Sequence, residues 1–421
     1  MNDIKQIFKE YQEVPNVPFQ QRFTSQFVID FLKSNNIEYK ETNYIITIKK
    51  PSRNSNGRKL VLIAHLDHPG IVLKNNKEGV FLGLIGAKKL HAALVESSID
   101  LRVFDPKGKY IGIVQLIGLE DSPKQIVNIK ADFTIPRNSF GMFNVTSFKE
   151  TTDTIQVYNA DDGVMVSVML DLIRNTKDSG FDLIFVFTKH EEVRQVSSWH
   201  LAKHNTLDIK PEDIIINLES LKTQSVNPEK YGEIDYNKGL TLQLSNIGCL
   251  FGYKNPGKNF AEVLLKDIAQ RNGVPLQVGL IKDSCDSRPL THFGLTPNIC
   301  TLTIPNKYKH NGADDGKIRS EEILKKDIES VTNLLVKALE SDIKTLEDSK
   351  TESLSEKIKA DDDITDLELM KERELVNERI EVSYKDIIRR DYYYPETVKD
   401  LLLDNIYKIL SYLKYFLLKL K

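Results

Sequence analysis

Phe19, Phe23, Phe27 and Phe31 recur at steps of four. That spacing keeps them on one face and predicts an amphipathic helix within residues 17–34. Two apolar runs follow, Tyr44–Lys49 (YIITIK) and Lys59–Ala64 (KLVLIA), with Asn56-Gly57 between them. Asn-Gly between runs of this kind predicts a β-hairpin. From about 75 to 150 short apolar runs (VFLGLIG, IDLRVF, YIGIVQLIG, VNIKADF) alternate with turn signals such as Asp105-Pro106-Lys107-Gly108. No long helical period interrupts them, so this stretch reads as all-β.

After 163 the pattern changes. Val164–Ile173 has a helical period, and Asp182–Thr188 (DLIFVFT) is a continuous apolar run, as expected of a strand covered on both faces. Asp213–Leu218, Thr241–Leu244, Gln277–Ile281 and Ile299–Ile304 read as further strands, and Phe260–Gln270 as a helix. Ser320-Glu321-Glu322 predicts the start of a long helix reaching about 345, with Ser320 as its N-cap. Alternating strands and helices imply an α/β fold: a mixed, mostly parallel sheet flanked by helices. The expected organisation is one catalytic α/β domain from 1–74 and 151–345, with a small β-barrel-like domain (75–150) inserted into it. Residues 346–421 follow as a charged linker and a C-terminal helix.

That last helix, Leu401–Lys421, is apolar around most of its circumference, but it carries Asp404, Lys408, Lys414, Lys419 and Lys421. Charges at mid-bilayer are costly, so docking on protein is the expected role and coating a membrane surface the second choice. Net charge is −2 over 421 residues, which gives no footing for nucleic acid. The N-terminus lacks the apolar core of a signal peptide. Three scattered cysteines (Cys249, Cys285, Cys300) make no disulfide framework, so a cytoplasmic protein is expected.

The chemistry lies in six residues near strand ends: His65, Asp161, Glu191, Glu192, Glu219 and His310. Imidazole nitrogen and carboxylate oxygen suit borderline and hard divalent metals. In open α/β sheets, sites form where strand carboxyl ends converge. Five such loops delivering donors to one edge point to a metal centre, although each residue alone has a bland reading as a helix cap or a solvated charge.

The motifs carrying these residues are AHLDHPG (64–70), NADDG (159–163), HEEV (190–193), INLE (216–219) and IPNKYKH (304–310). In order and spacing they resemble the dinuclear metallo-aminopeptidases of the glutamyl and deblocking family, whose members often form tetrahedral assemblies. The resemblance spans about 20–340, and the β insertion falls where that family carries its small barrel. It implies two divalent ions per chain, zinc or cobalt. Asp161 would bridge them, His65 and Glu219 would complete one position, and Glu192 and His310 the other. Glu191 would be the general base and Asp67 an orienting carboxylate. An extended strand at 191–192 would turn the two glutamates to opposite sides. Substrates would be short peptides and the protein a homo-oligomer. Some positions depart from the family pattern. Glu219 stands where Asp is common, Gly163 where Arg is common and Arg194 where Gly is common. The segment 282–288 replaces a Gly-Thr-Asp type motif, with Asp286 matched to its substrate-binding Asp. Two alternatives remain: another di-metal hydrolase, such as a carboxypeptidase or deacylase, and a non-catalytic scaffold that has kept the fold.

Overall fold

The computed structural model describes residues 2–52, 57–83, 86–120, 125–222, 233–244, 258–280, 285–341, 347, 349 and 351. The helix expected over 401–421 and Cys249 lie outside them. The chain opens with α1 (Asn2–Tyr11) and α2 (Arg22–Ser34), then β1 (Lys40–Glu41), β2 (Ile45–Lys50) and β3 (Lys59–His65). Next come β4 (Gly70–Leu73), β5 (Glu78–Leu82), α3 (Gly86–Glu96), β6 (Ile99–Phe104), β7 (Tyr110–Leu119), β8 (Ile126–Lys130) and β9 (Phe140–Phe143). Then follow β10 (Phe148–Glu150), β11 (Thr154–Val157), α4 (Gly163–Asn175), β12 (Asp182–Thr188), α5 (Val196–His204), β13 (Ile214–Leu221) and β14 (Leu240–Leu244). The last described elements are α6 (Phe260–Asn272), β15 (Leu276–Leu280), α7 (Ser287–His292), β16 (Ile299–Pro305), β17 (Glu321–Leu324) and α8 (Lys325–Glu340).

The main sheet has eight strands in the order β1-β2-β12-β3-β13-β16-β14-β15. β12, β3, β13 and β16 run parallel; β2 and β14 are antiparallel to their inner neighbours. Strand alternation divides the core between the two faces. Leu60, Leu62, Phe185 and Phe187 join one cluster, with Val164, Leu264 and Leu335 from the covering helices. Val61, Ile63, Ile184 and Val186 join the other, with Leu201 and Leu290. Burial of both faces is why these strands read as unbroken apolar runs.

This arrangement overturns the expected hairpin. β2 and β3 are not neighbours, because β12 lies between them, pairing Phe185 with Ile48 on one side and with Leu62 on the other. A strand as apolar as β12 needs two partners and two covered faces. Burying it in the middle of the sheet outweighs the local turn preference of Asn-Gly.

β4, β5, β8, β7, β6 and β9 close into a barrel. The insertion is not purely β, however. α3 packs against β7 with Leu90 and Ala93 buried. Its sequence, GAKKLHAALVE, is rich in Ala, Leu and Lys, strong helix formers, and the apolar run before it hid that signal. The phenylalanine stripe is helical over 22–34, but Phe19 stands outside at φ 65°. The fully buried face of α2 is Thr24, Val28 and Leu32. Phe27 meets Tyr11 edge-on, and Phe23 stacks on Phe140 of the barrel at 5.7 Å. The stripe therefore ties α2 to α1 and to the barrel, while Phe27 and Phe31 pack partly buried against the sheet core. The helix expected from Ser320 begins instead at Lys325, because 321–324 form a strand antiparallel to β11. Glu321 is drawn inside by the hydrogen bonds described next.

Candidate metal centre

His65 ends β3, and Glu219 lies near the end of β13, on the neighbouring parallel strand. Asp161 stands between β11 and α4, Glu191 and Glu192 follow β12, and His310 follows β16. The carboxyl ends of four parallel strands thus bring four segments to one edge, where the loop between β11 and α4 adds Asp161. Asp161 is at the middle. Its Oδ1 is 3.1 Å from His65 Nε2, which is 3.5 Å from Glu219 Oε2. Its Oδ2 is 3.3 Å from His310 Nε2, which is 3.0 Å from Glu192 Oε1. Donor atoms of His65, Asp161 and Glu219 lie within 4.8 Å of one another, as do those of Asp161, Glu192 and His310. All are buried.

The donors fit metal ions. Asp161 Oδ2, Glu192 Oε1 and His310 Nε2 are buried and have no hydrogen-bond partner, though they converge within ion-pair distance. Buried polar atoms without partners are costly, and a cation among them would remove that cost. The mixed nitrogen and oxygen set is of the kind zinc and cobalt accept.

Electrostatics follow from burial. Desolvation raises Glu219 to about 7 against the pull of His65. It raises Asp67 to about 6 and puts Glu191 well above the carboxylate range, with the charges of Glu192, Glu219 and Asp286 adding to the Glu191 shift. Burial works against the charged form of Asp161, yet Lys309, His310 and His65 together hold its carboxyl well below normal. Burial would lower His310, but Glu192 and Asp161 outweigh it and raise the imidazole to about 9. Shifts of this kind cluster at functional sites.

The supporting shell is dense. Glu191 and Glu192 do not lie on an extended strand, since β12 stops at Thr188 and 190–195 turn back on themselves. Asp67 fixes that turn by accepting from the Glu191 N–H at 2.9 Å and the Glu192 N–H at 3.1 Å. The turn, not strand alternation, separates the two carboxylates. Gln195 donates to Glu191 Oε1 at 3.0 Å. Asp286 is fully buried, with its two oxygens accepting from Thr188, at the end of β12, and Ser198, on α5. It clasps both flanks of the same turn. Gly163 is crowded by α1: a Cβ there would stand 3.0 Å from Gln12 Nε2 and Tyr11 Cδ1, so the place of the family's Arg is taken. The Asp161–Asp162 peptide is cis, and Asp162 accepts from the His65 N–H.

Three supporting residues escaped the sequence reading. Glu321 accepts from the Ala160 and Asp161 N–H groups at 2.6 and 2.9 Å and from the His310 N–H at 2.6 Å. One carboxylate so holds the central Asp161 segment and the His310 segment together. His68 pairs with the Asp161 carbonyl at 2.6 Å and with Asn311 at 3.2 Å. Lys309 pairs with Asp161 Oδ2 at 3.5 Å. His68 and Lys309 lie inside recognised motifs. Glu321 gave no signal, since Ser-Glu-Glu reads as a helix start.

The model of the family described as M42 glutamyl aminopeptidase matches residues 131–325, which include Asp161, Glu191, Glu192, Glu219 and His310. Among solved structures, an aminopeptidase from the archaeon Desulfurococcus kamchatkensis is 16% identical, with TM-score 0.64, covering 83% of this chain and 98% of its own. The TET1 peptidase of Pyrococcus horikoshii, described as assembling into a tetrahedron or a large octahedral shell, is 17% identical at TM-score 0.60, covering 80% and 99%. A TET aminopeptidase from a marine-sediment thaumarchaeon is 15% identical at TM-score 0.63, covering 82% and 99%. At such identities the likeness is one of fold. No curated protein sequence matches significantly. The family model thus agrees with the resemblance carried by the motifs, and this chain folds as a mixed sheet with a closed barrel.

Proposed function

We propose that this protein removes N-terminal residues from short peptides, using two divalent ions, zinc or cobalt, and Glu191 as general base. The observation that carries the proposal is the position of Asp161, whose two oxygens face separate histidine–glutamate pairs: Oδ1 with His65 and Glu219, Oδ2 with His310 and Glu192. Two ions so held would polarise a scissile carbonyl and make a water acidic at neutral pH. Glu191 is the acidic side chain of the set that ligation does not require. Its carboxylate, held by Gln195, takes the proton from the attacking water and passes it to the leaving amine. Asp67 and Asp286 fix the turn from which Glu191 acts, so an effect of Asp286 on substrate would pass through that turn. Of the two alternatives, a carboxypeptidase or deacylase would cleave a different bond, and a non-catalytic scaffold would cleave none of the substrates.

The neighbours described as tetrahedral or octahedral shells support a homo-oligomer. Among the described residues no helix is long and apolar enough to cross a membrane. A cytoplasmic location is proposed on the cysteine usage alone.

The test is metal analysis of the purified protein together with a panel of aminoacyl-p-nitroanilides and their N-blocked counterparts. Two ions per chain and cleavage of free-amine substrates alone are expected. Glu191→Gln should keep its ions and lose about 10²–10⁴-fold in turnover. Removal of the blocking acyl group with the anilide bond left intact would transfer the protein to the deacylases, and loss of both ions in Glu191→Gln would make Glu191 a ligand.

A further inference from the structure

Arg102 lies on β6 between Leu101 and Val103, both buried in the barrel. Strand alternation turns Arg102 to the outer face, on the same side as Met142, its cross-strand partner on β9. There the barrel meets the segments that carry Asn16, Ser147 and Tyr158. Met142 Sδ accepts from the Asn16 N–H at 3.4 Å, and Arg102 Nη1 donates to Ser147 Oγ at 2.8 Å. The guanidinium carbon stands 5.8 Å from the centroid of the Tyr158 ring, whose hydroxyl donates to the Asn16 carbonyl at 3.4 Å. The other edge of the guanidinium is different. Its Nε and Nη2 are buried and have no hydrogen-bond partner. No carboxylate among the described residues pairs with Arg102. Asn16, which shares Met142 and Tyr158 as neighbours, is 1% exposed, and both polar atoms of its side-chain amide are also buried without partners.

Buried donors without acceptors are costly, and more so when they belong to a cation with no opposite charge. Nε and Nη2 of a guanidinium are parallel donors spaced to meet the two oxygens of one carboxylate. We propose that this edge of Arg102, with the Asn16 amide beside it, binds a small carboxylate-shaped anion of the formate or bicarbonate kind. Burial of both nitrogens favours a free anion of a few atoms over the carboxylate of a peptide. The site lies apart from the metal donors, with Tyr158 between: its ring packs on His68 at 4.7 Å, and His68 pairs with the Asp161 carbonyl. The bound anion neutralises Arg102 and fastens the barrel to the segment that leads into Asp161. This inference does not depend on the two-ion reading.

The test titrates the full-length protein with formate, bicarbonate and chloride at constant ionic strength, balanced with a bulky organic sulfonate. Binding is read by calorimetry and by melting temperature. Wild type should bind formate and bicarbonate at one saturable site, with a dissociation constant of about 1 mM, near the ceiling for so small a ligand. Chloride, which cannot span the fork, should bind at least about tenfold more weakly. The melting temperature should rise by about 2 °C or more at saturation. Arg102→Met should lose both responses while its metal content, by elemental analysis, stays that of wild type. Arg102→Lys keeps the charge but not the fork and should weaken formate by about tenfold or more. A wild type with no saturable response overturns the proposal and leaves water as the partner of those donors. Chloride bound as tightly as formate overturns the carboxylate class, and a response that persists in Arg102→Met places the anion elsewhere, the metal centre included. Should Arg102→Met fail to fold, Arg102→Lys and the wild-type titration decide the matter.

Discussion

Arg194 and Gln195 both lie in the left-handed region, at φ 71° and 52°. The resemblance marks 194 as a position where glycine is common, and the backbone gives the reason: the turn carrying Glu191 and Glu192 needs a conformation that glycine adopts without strain. Arg accepts this conformation at a cost that a β-branched side chain would increase. Arg194→Val should therefore be less stable than Arg194→Gly by about 1–2 kcal/mol, read from the midpoints of chemical denaturation. Equal midpoints would show that the turn is not strained there. Glu219, longer by one methylene than the Asp common in relatives, still reaches His65 Nε2 at 3.5 Å. The substitution therefore leaves that half of the donor set together.

At the scale of elements, the centre depends on pieces that bring no ligand of their own. β17 is four residues long, yet through Glu321 it positions Asp161 and His310, which come from loops after different strands. Glu321→Ala would leave up to three buried N–H groups unpaired, at about 1–3 kcal/mol each if none finds a new partner. The expected outcome is a lower melting temperature and loss of metal from both positions, measured by calorimetry and elemental analysis. Glu322→Ala provides the control on the same strand. Its carboxylate meets Gln156 and Lys307 away from the donor set, so metal content should not change. If the two variants behaved alike, the effect would belong to β17 as a strand rather than to the Glu321 carboxylate.

For the whole molecule, the concentration of buried ionisable groups sets the stability of the metal-free form. Glu219 is raised to about 7 and His310 to about 9, while Asp162, Glu191 and His65 are also raised. A group raised in the folded chain keeps a proton that the unfolded chain releases, so its stabilising effect is lost as pH rises through the folded value. His190, lowered to about 3, works in the opposite direction, but only below its ordinary 6.5. Asp161, also lowered, acts below the ordinary carboxylate value of 3.8. Between pH 6.5 and about 9 the metal-free protein should therefore lose thermal stability as pH rises. Added zinc should stabilise it more at the upper end, where ligands are deprotonated. Thermal unfolding in chelator at several pH values checks this. A melting temperature that rose across the window would contradict it.

The sequence by itself determined the class of fold and the chemistry of the donor set. Period and composition are local: DLIFVFT reads as a strand covered on both faces, and His, Asp and Glu after such strands keep their donor chemistry wherever the chain goes. The order and spacing of the motifs also carried the family resemblance. What tertiary structure alone decided was adjacency. β12 separated β2 from β3, because burial of a strand's two faces is settled by every strand in the sheet and not by the turn between two of them. Glu321 left the expected helix for a short strand because three N–H groups distant in sequence needed one carboxylate. Likewise, the charge of Lys309 acquired meaning only when the fold set it beside one oxygen of Asp161, since electrostatic contacts depend on distances in space that no local pattern records.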